Sequence, residues 1–135
     1  MLVSILLPFP PTVNTYFTVS NGRKILSDRG RTYQAMCAAM VDAQRRHGYI
    51  PNGTVFTDDV AVEITIRPPD RRKRDLDNLL KAALDAITNA HVWNDDSQVK
   101  QILARWGERT ENGSANVKIM ALDEVRIDEK EKDDM

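Results

Sequence analysis

Val60-Ala61-Val62-Glu63-Ile64-Thr65-Ile66, running on through Arg67-Pro68-Pro69-Asp70-Arg71-Arg72-Lys73-Arg74-Asp75-Leu76-Asp77-Asn78-Leu79-Leu80-Lys81, decides how this chain folds. The first seven residues alternate apolar with polar or small side chains, the period-two pattern of a half-buried strand. Pro68 and Pro69 end it, because neither can donate to a ladder. Beyond Arg74 the period changes. Leu76, Leu79, Leu80, Ala83, Leu84 and Ile87 recur at helical spacing and predict an amphipathic helix over about residues 77–89. A strand therefore passes through a charged loop into a helix.

Outward from this unit, Leu2 to Leu7 reads as a short strand that stops at Pro8-Phe9-Pro10-Pro11. Thr15 to Val19 and Arg23 to Leu26 flank Asn21-Gly22, residues that tolerate the positive φ of a tight turn, and predict a hairpin. Ser27 or Asp28 can cap a helix over about residues 29–47, whose apolar positions are Tyr33, Met36, Cys37, Met40 and Val41 and whose stop is Gly48. Cys37 and the methionines are assigned to the core, and His47 to the helix C-terminus without a chemical role. Ala35, Ala38, Ala39 and Ala43 leave this helix slim enough to pack closely on a sheet or on a second copy of itself. Strands over about residues 98–106 and 115–122, joined at Glu111-Asn112-Gly113-Ser114, complete the pattern. The fold class expected is α+β: a single domain with a small mixed or antiparallel sheet and two main helices.

A length of 135 residues suits one domain, with 41% hydrophobic and 29% charged residues as in ordinary globular proteins. No apolar stretch is long enough to span a bilayer, and Cys37 alone forms no intramolecular disulfide. A cytoplasmic, reducing setting without a membrane role is expected. The net charge of −1 is unevenly spread. Residues 123–135 hold seven acids against three cations, a net −4 that leaves +3 on residues 1–122. The expected division is a mildly basic body, 1–122, and an acidic tail, 123–135, whose last residues read as solvated.

Arg71, Arg72, Lys73 and Arg74 set four cations against the pair Asp75 and Asp77. Lys and Arg attract a phosphate backbone, whereas carboxylates repel it unless a divalent cation stands between them. Two residues apart on a helix, side chains diverge by about 200°. An extended segment, or a junction where Asp75 precedes the helix and Asp77 enters its first turn, turns them to one side. A helix start also presents free N–H groups suited to phosphate. Asp75 equally has the identity of an N-cap. Lys81 can reach a metal-bound phosphate or make an i,i+4 salt bridge to Asp77 or Asp85. Trp93-Asn94-Asp95-Asp96-Ser97-Gln98-Val99 offers a third acid, although Asn94 to Ser97 alone is a plain turn.

The run from Asp70 to Ala86, followed by Trp93-Asn94-Asp95-Asp96-Ser97-Gln98-Val99 and preceded by Leu7-Pro8-Phe9-Pro10-Pro11-Thr12-Val13-Asn14 with Tyr16, resembles the RusA family of Holliday-junction resolvases, common in bacteria and their prophages. The resemblance covers about residues 2–122. It implies a Mg²⁺- or Mn²⁺-dependent homodimeric endonuclease acting on four-way junction DNA. It also implies that Asp75, Asp77 and Asp96 hold the metal, that Lys81 is catalytic, and that the acid that matters in the Asp95-Asp96 pair is the second. Arg71, Arg72, Lys73 and Arg74 are the expected DNA-binding residues. Two other classes fit parts of the pattern. A noncatalytic branched-DNA-binding module needs only the basic loop, and a metal-dependent glycosyltransferase shares the Asp-x-Asp pair but needs a larger nucleotide-binding domain than this length supplies.

Overall fold

The computed structural model is an α+β domain, and the structure describes residues 1–124. Strand β1 (Leu2–Leu7) leads through the proline loop to a single helical turn, α1 (Val13–Tyr16), and to a hairpin of β2 (Phe17–Ser20) and β3 (Arg23–Leu26). Helix α2 (Asp28–Arg46), strand β4 (Val60–Arg67), a 3₁₀ turn (Leu76–Leu79) continuous with helix α3 (Leu80–Asn89), a second 3₁₀ turn (Asp96–Gln98), and strands β5 (Val99–Trp106) and β6 (Ser114–Ala121) follow.

The main sheet has the order β1-β6-β4-β5. Its β1–β6 and β6–β4 pairs are antiparallel, and its β4–β5 pair is parallel. Parallel neighbours need a crossover rather than a hairpin, and α3 supplies it. The sheet is therefore mixed. Alternation sets which side is buried: Val3, Ile5 and Leu7 of β1, Val60, Val62, Ile64 and Ile66 of β4, and Ala115, Val117 and Ile119 of β6 point inward. They form one core with Tyr33, Cys37 and Val41 of α2 and Ala82, Ala83, Ala86 and Ile87 of α3. Among the described residues no helix is long and apolar enough to cross a membrane.

Ser27 caps α2, its Oγ accepting from the Gly30 N–H at 3.0 Å. Burial pushes the Cys37 thiol up to about 12, consistent with a core position. The methionines of α2 depart from expectation: Met36 is 50% exposed and Met40 only half-buried. The buried stripe runs through Tyr33, Cys37 and Val41, and Met36 lies to its side, where a flexible thioether tolerates water. The hairpin also begins later than its sequence predicts. Thr15 and Tyr16 are helical, since the Thr15 and Tyr16 N–H groups both return to the Thr12 carbonyl. That turn drives the Tyr16 ring fully into the core.

Gly30 allows this arrangement. A Cβ at residue 30 would stand 2.4 Å from the Tyr16 carbonyl oxygen, inside contact distance with backbone that cannot swing aside. Gly30→Ala is expected to destabilise the fold by about 1–3 kcal/mol, the usual cost of overpacking, seen as a lower urea midpoint with an unchanged slope.

Candidate nuclease site

The backbone switches conformation at the acidic pair. Asp75 is extended (φ −86°, ψ 121°), and Asp77 lies in the 3₁₀ turn that starts one residue later. This is the kind of junction that turns i and i+2 to one side. Asp75 occupies the N-cap position but makes no side-chain capping bond, so the capping role its identity suggested is not realised. Both residues are exposed, and among the described residues neither carboxylate has a hydrogen-bond or ion-pair partner.

Lys81, in the first turn of α3, behaves differently. Its Nζ donates to Asp85 Oδ1 at 2.9 Å and lies 3.4 Å from Asp96 Oδ2. The ammonium is held above its ordinary pKa first by the Asp85 hydrogen bond, with the charge of Asp96 adding to it. Lys81 and Asp96 are thus brought together, and the i,i+4 bridge to Asp85 is present as well. Asp85 had stood in the sequence only as a partner for that bridge.

The Asp95-Asp96 pair divides its work. Asp95 Oδ2 accepts from the Ser97 N–H at 3.3 Å, and Gln98 Oε1 accepts from the Asn94 and Asp95 N–H groups at 2.8 and 2.9 Å, a reciprocal cap on the second 3₁₀ turn. The Ser97 bonds hold the Asp95 carboxyl below its usual range. Gln98 Nε2 donates to the Phe56 and Asp58 carbonyls, and the fully buried Trp93 donates from Nε1 to Thr88 Oγ1 at 2.6 Å. Asp96, free of these duties, faces Lys81. Asp95→Ala should therefore lower the thermal midpoint slightly and cut cleavage far less than Asp96→Asn, measured side by side on one substrate.

The three expected metal carboxylates do not form one closed set. Among the described residues no three acidic, histidine or cysteine side chains are grouped closely enough to hold an ion. Asp96 instead pairs with the Lys81 ammonium at 3.4 Å. The donors still suit a hard divalent cation: carboxylate oxygens, two of them unpartnered, beside cations that attract phosphate.

The basic loop is not uniform. Arg71, Arg72 and Lys73 are exposed, but Arg74 is tied down. Its two terminal nitrogens donate to Asp70 at 2.7 and 3.1 Å, and its guanidinium lies 5.1 Å from the centre of the Phe9 ring. Asp70 Oδ1 also accepts from the Arg72 N–H at 2.9 Å, closing the loop on itself. The Arg74 bonds, helped by Arg72, pull the Asp70 carboxyl down to about 2. A depressed folded pKa means that the contribution of this clamp is complete above the ordinary value of 3.8 and is lost as pH falls toward 2. An NMR titration should find the Asp70 midpoint near 2. Beside the loop lies a shallow groove of about 480 Å³ that Trp106 and Arg109 also line. Sequence reasoning missed both, because Trp106, the last residue of β5, and Arg109, just beyond it, come to this loop only through the pairing of β5 with β4.

An unpartnered acidic pair at a helix start, an ammonium between two carboxylates and a loop of exposed cations are groups of the kind that chemistry on a phosphodiester requires. The model of a known family, described as endodeoxyribonuclease RusA, matches residues 8–120. The chain belongs to that family and is an endodeoxyribonuclease. It is 41% identical over 96 residues to the crossover junction endodeoxyribonuclease RusA of Escherichia coli strain K12, a match covering 71% of this chain and 75% of that protein. The Shigella sonnei protein of the same name is 40% identical over the same shares, and that of Enterobacteria phage 82 is 38% identical over 99 residues, covering 70% of this chain and 74% of the phage protein.

Proposed function

We propose that this endonuclease resolves four-way DNA junctions by paired, symmetrical nicks and that it requires Mg²⁺, with Mn²⁺ as a substitute. The observation that carries the reading is the unpartnered pair Asp75 and Asp77 beside exposed Arg71, Arg72 and Lys73, with Lys81 and Asp96 in contact nearby. The curated relatives, named as crossover junction endodeoxyribonucleases, support it.

Asp75, Asp77 and Asp96 would hold the ion, which when bound supplies an activated water and charge neutralisation at phosphorus. The chain's own residues do the rest. Arg71, Arg72 and Lys73 bind the backbone and set its register. The first turn of the 3₁₀ segment offers N–H groups to a phosphate oxygen. Lys81 brings a fixed positive charge to the position where negative charge grows. No side chain needs to become covalently attached.

Two opposed strands must be cut, so a two-fold dimer with one site per subunit is the simplest assembly. Apolar surface for it is available on the free edge strand β5, where Ile102, Leu103 and Trp106 are exposed, and to a lesser degree on the outer face of α2 around Met36. Light scattering should give twice the 15.3 kDa chain mass. A mixed dimer of one native subunit and one Asp77→Asn subunit should nick one strand of a junction without resolving it.

A synthetic junction incubated with Mg²⁺, Mn²⁺, Ca²⁺ or EDTA tests the whole reading. Paired nicks with the first two ions, and binding without cleavage in the others, are expected. Tight binding without cleavage under every condition would instead identify a branched-DNA-binding module.

A further inference from the structure

Trp106 is 40% exposed at the end of β5, and it lines the groove beside the basic loop together with Arg71, Arg72, Lys73, Arg74 and Arg109. An indole so placed leaves apolar surface in water. Arg74 lays its guanidinium on the Phe9 ring, whereas among the described residues neither a cation nor a second ring covers Trp106. A flat π surface therefore stands open among positive charges.

The backbone fixes this surface against the loop. Trp106 pairs with Ile66 in the β4–β5 register, the Gly107 N–H donates to the Ile66 carbonyl at 2.8 Å, and the Thr110 N–H donates to the Pro68 carbonyl at 3.1 Å. The chain leaving β5 is thus laced to the start of the basic loop. Gly107 makes that approach possible, since a Cβ there would stand 2.8 Å from Thr65 Cγ2 and 3.0 Å from Arg67 Cγ. Asp70, the carboxylate that also lines the groove, is engaged by Arg74 and by the Arg72 N–H. Cations outnumber it five to one.

This charge selects the occupant. A two-fold contact through the groove would set the cations of one copy against those of the other, while a DNA strand brings phosphates to them. In a duplex the base faces cover one another, so only a base that has left its stack offers a face to an indole. Ile102 and Leu103, also exposed on β5, do not line the groove and stay available to a subunit contact.

We propose that Trp106 is the stacking platform for an unpaired nucleobase of a DNA strand whose phosphates lie along Arg71, Arg72, Lys73 and Arg109. The inference deepens the reading of the chain as a junction endonuclease and rests on it for the substrate, because strands exchange partners at the centre of a four-way junction and a base can open there. The cations attract any DNA. Trp106 adds a means of telling opened DNA from closed duplex.

Trp93 and Trp106 are the two tryptophans of the chain and Trp93 is fully buried, so changes in tryptophan emission on adding DNA report on Trp106. The titration uses the full chain in EDTA with three probes: an oligothymidylate, a synthetic four-way junction, and a relaxed, covalently closed circular duplex that has neither ends nor unpaired bases. Saturating oligothymidylate or junction should quench most of the Trp106 emission, and the circle should change it little. Trp106→Leu keeps apolar bulk without a π face and should bind the oligothymidylate and the junction about tenfold more weakly, whereas Trp106→Phe keeps a flat ring and should stay within about threefold of native. Both variants should bind the circle as the native chain does. Unquenched emission at saturation, or native affinity of Trp106→Leu for both unpaired probes, overturns the proposal. Loss of a dimer in Trp106→Leu without quenching of the native chain overturns it too, by assigning the indole to a subunit contact. No readout needs cleavage, so quenching by oligothymidylate in a chain that nicks no junction in Mg²⁺ upholds the platform and removes only the reading of the chain as a resolving enzyme.

Discussion

Asp75→Asn and Asp77→Asn are each expected to slow strand cleavage by about 10³-fold while binding a junction in Ca²⁺ as tightly as the native chain. The substitution keeps the shape of each side chain and removes its charge, so what disappears is the capacity to hold a cation against phosphate. The structure adds a control. Asp75 stands at an N-cap position without making a capping bond, and neither carboxylate has a partner among the described residues, so neither substitution breaks an interaction that supports the fold. Thermal midpoints should therefore stay level or rise, because two unpaired like charges become one. A fall of several degrees in either variant would mean that the carboxylate serves the helix start, and cleavage at the native rate would remove it from the site.

Trp93→Ala should have the largest effect on stability, about 3–5 kcal/mol, as for other fully buried aromatics. The buried indole gives its N–H to Thr88 Oγ1 at the end of α3, while the Trp93 backbone forms a β-bridge with that of Phe56. Its loss leaves a cavity and takes the donor from Thr88. Equilibrium urea unfolding measures the cost. The same substitution loosens the residue from which the turn of Asp95 and Asp96 departs, so cleavage should fall even where the variant is still folded. Trp93→Phe keeps most of the volume and should cost clearly less.

Much of this was legible because the informative patterns are local. The alternation from Val60 to Ile66, the i, i+3, i+4 spacing of the two helices and the Asn112-Gly113 turn need only neighbours along the chain, and each element lies within a residue or two of its expected bounds. The parallel pairing of β4 with β5 was not legible, since no local feature states which strand lies beside which. The same limit governs the site. Asp75, Asp77 and Lys81 are close in sequence and read together, whereas the 3.4 Å approach of Asp96 to Lys81 depends on how the turn after α3 folds back. Arg74 was read as one of four equivalent cations because nothing in a run of basic residues says which will fold back onto Asp70 and Phe9. The exposure of Met36 is a similar case: hydrophobic spacing gives the buried stripe, but its width depends on what packs there.

The Met1 ammonium pairs with Glu124, so the first residue and the last described one meet where β1 begins and β6 ends. The turn bearing Asp96 enters β5, at the other edge of the sheet, three strand spacings or about 14 Å across. For anyone attaching this enzyme to a surface, a dye or a second protein, a link at residue 1 would start from the β1 edge of the sheet, away from the turn that bears Asp96. An added N-terminal residue would also remove the ammonium that Glu124 holds, a perturbation placed as far across the sheet from Asp96 as its four strands allow.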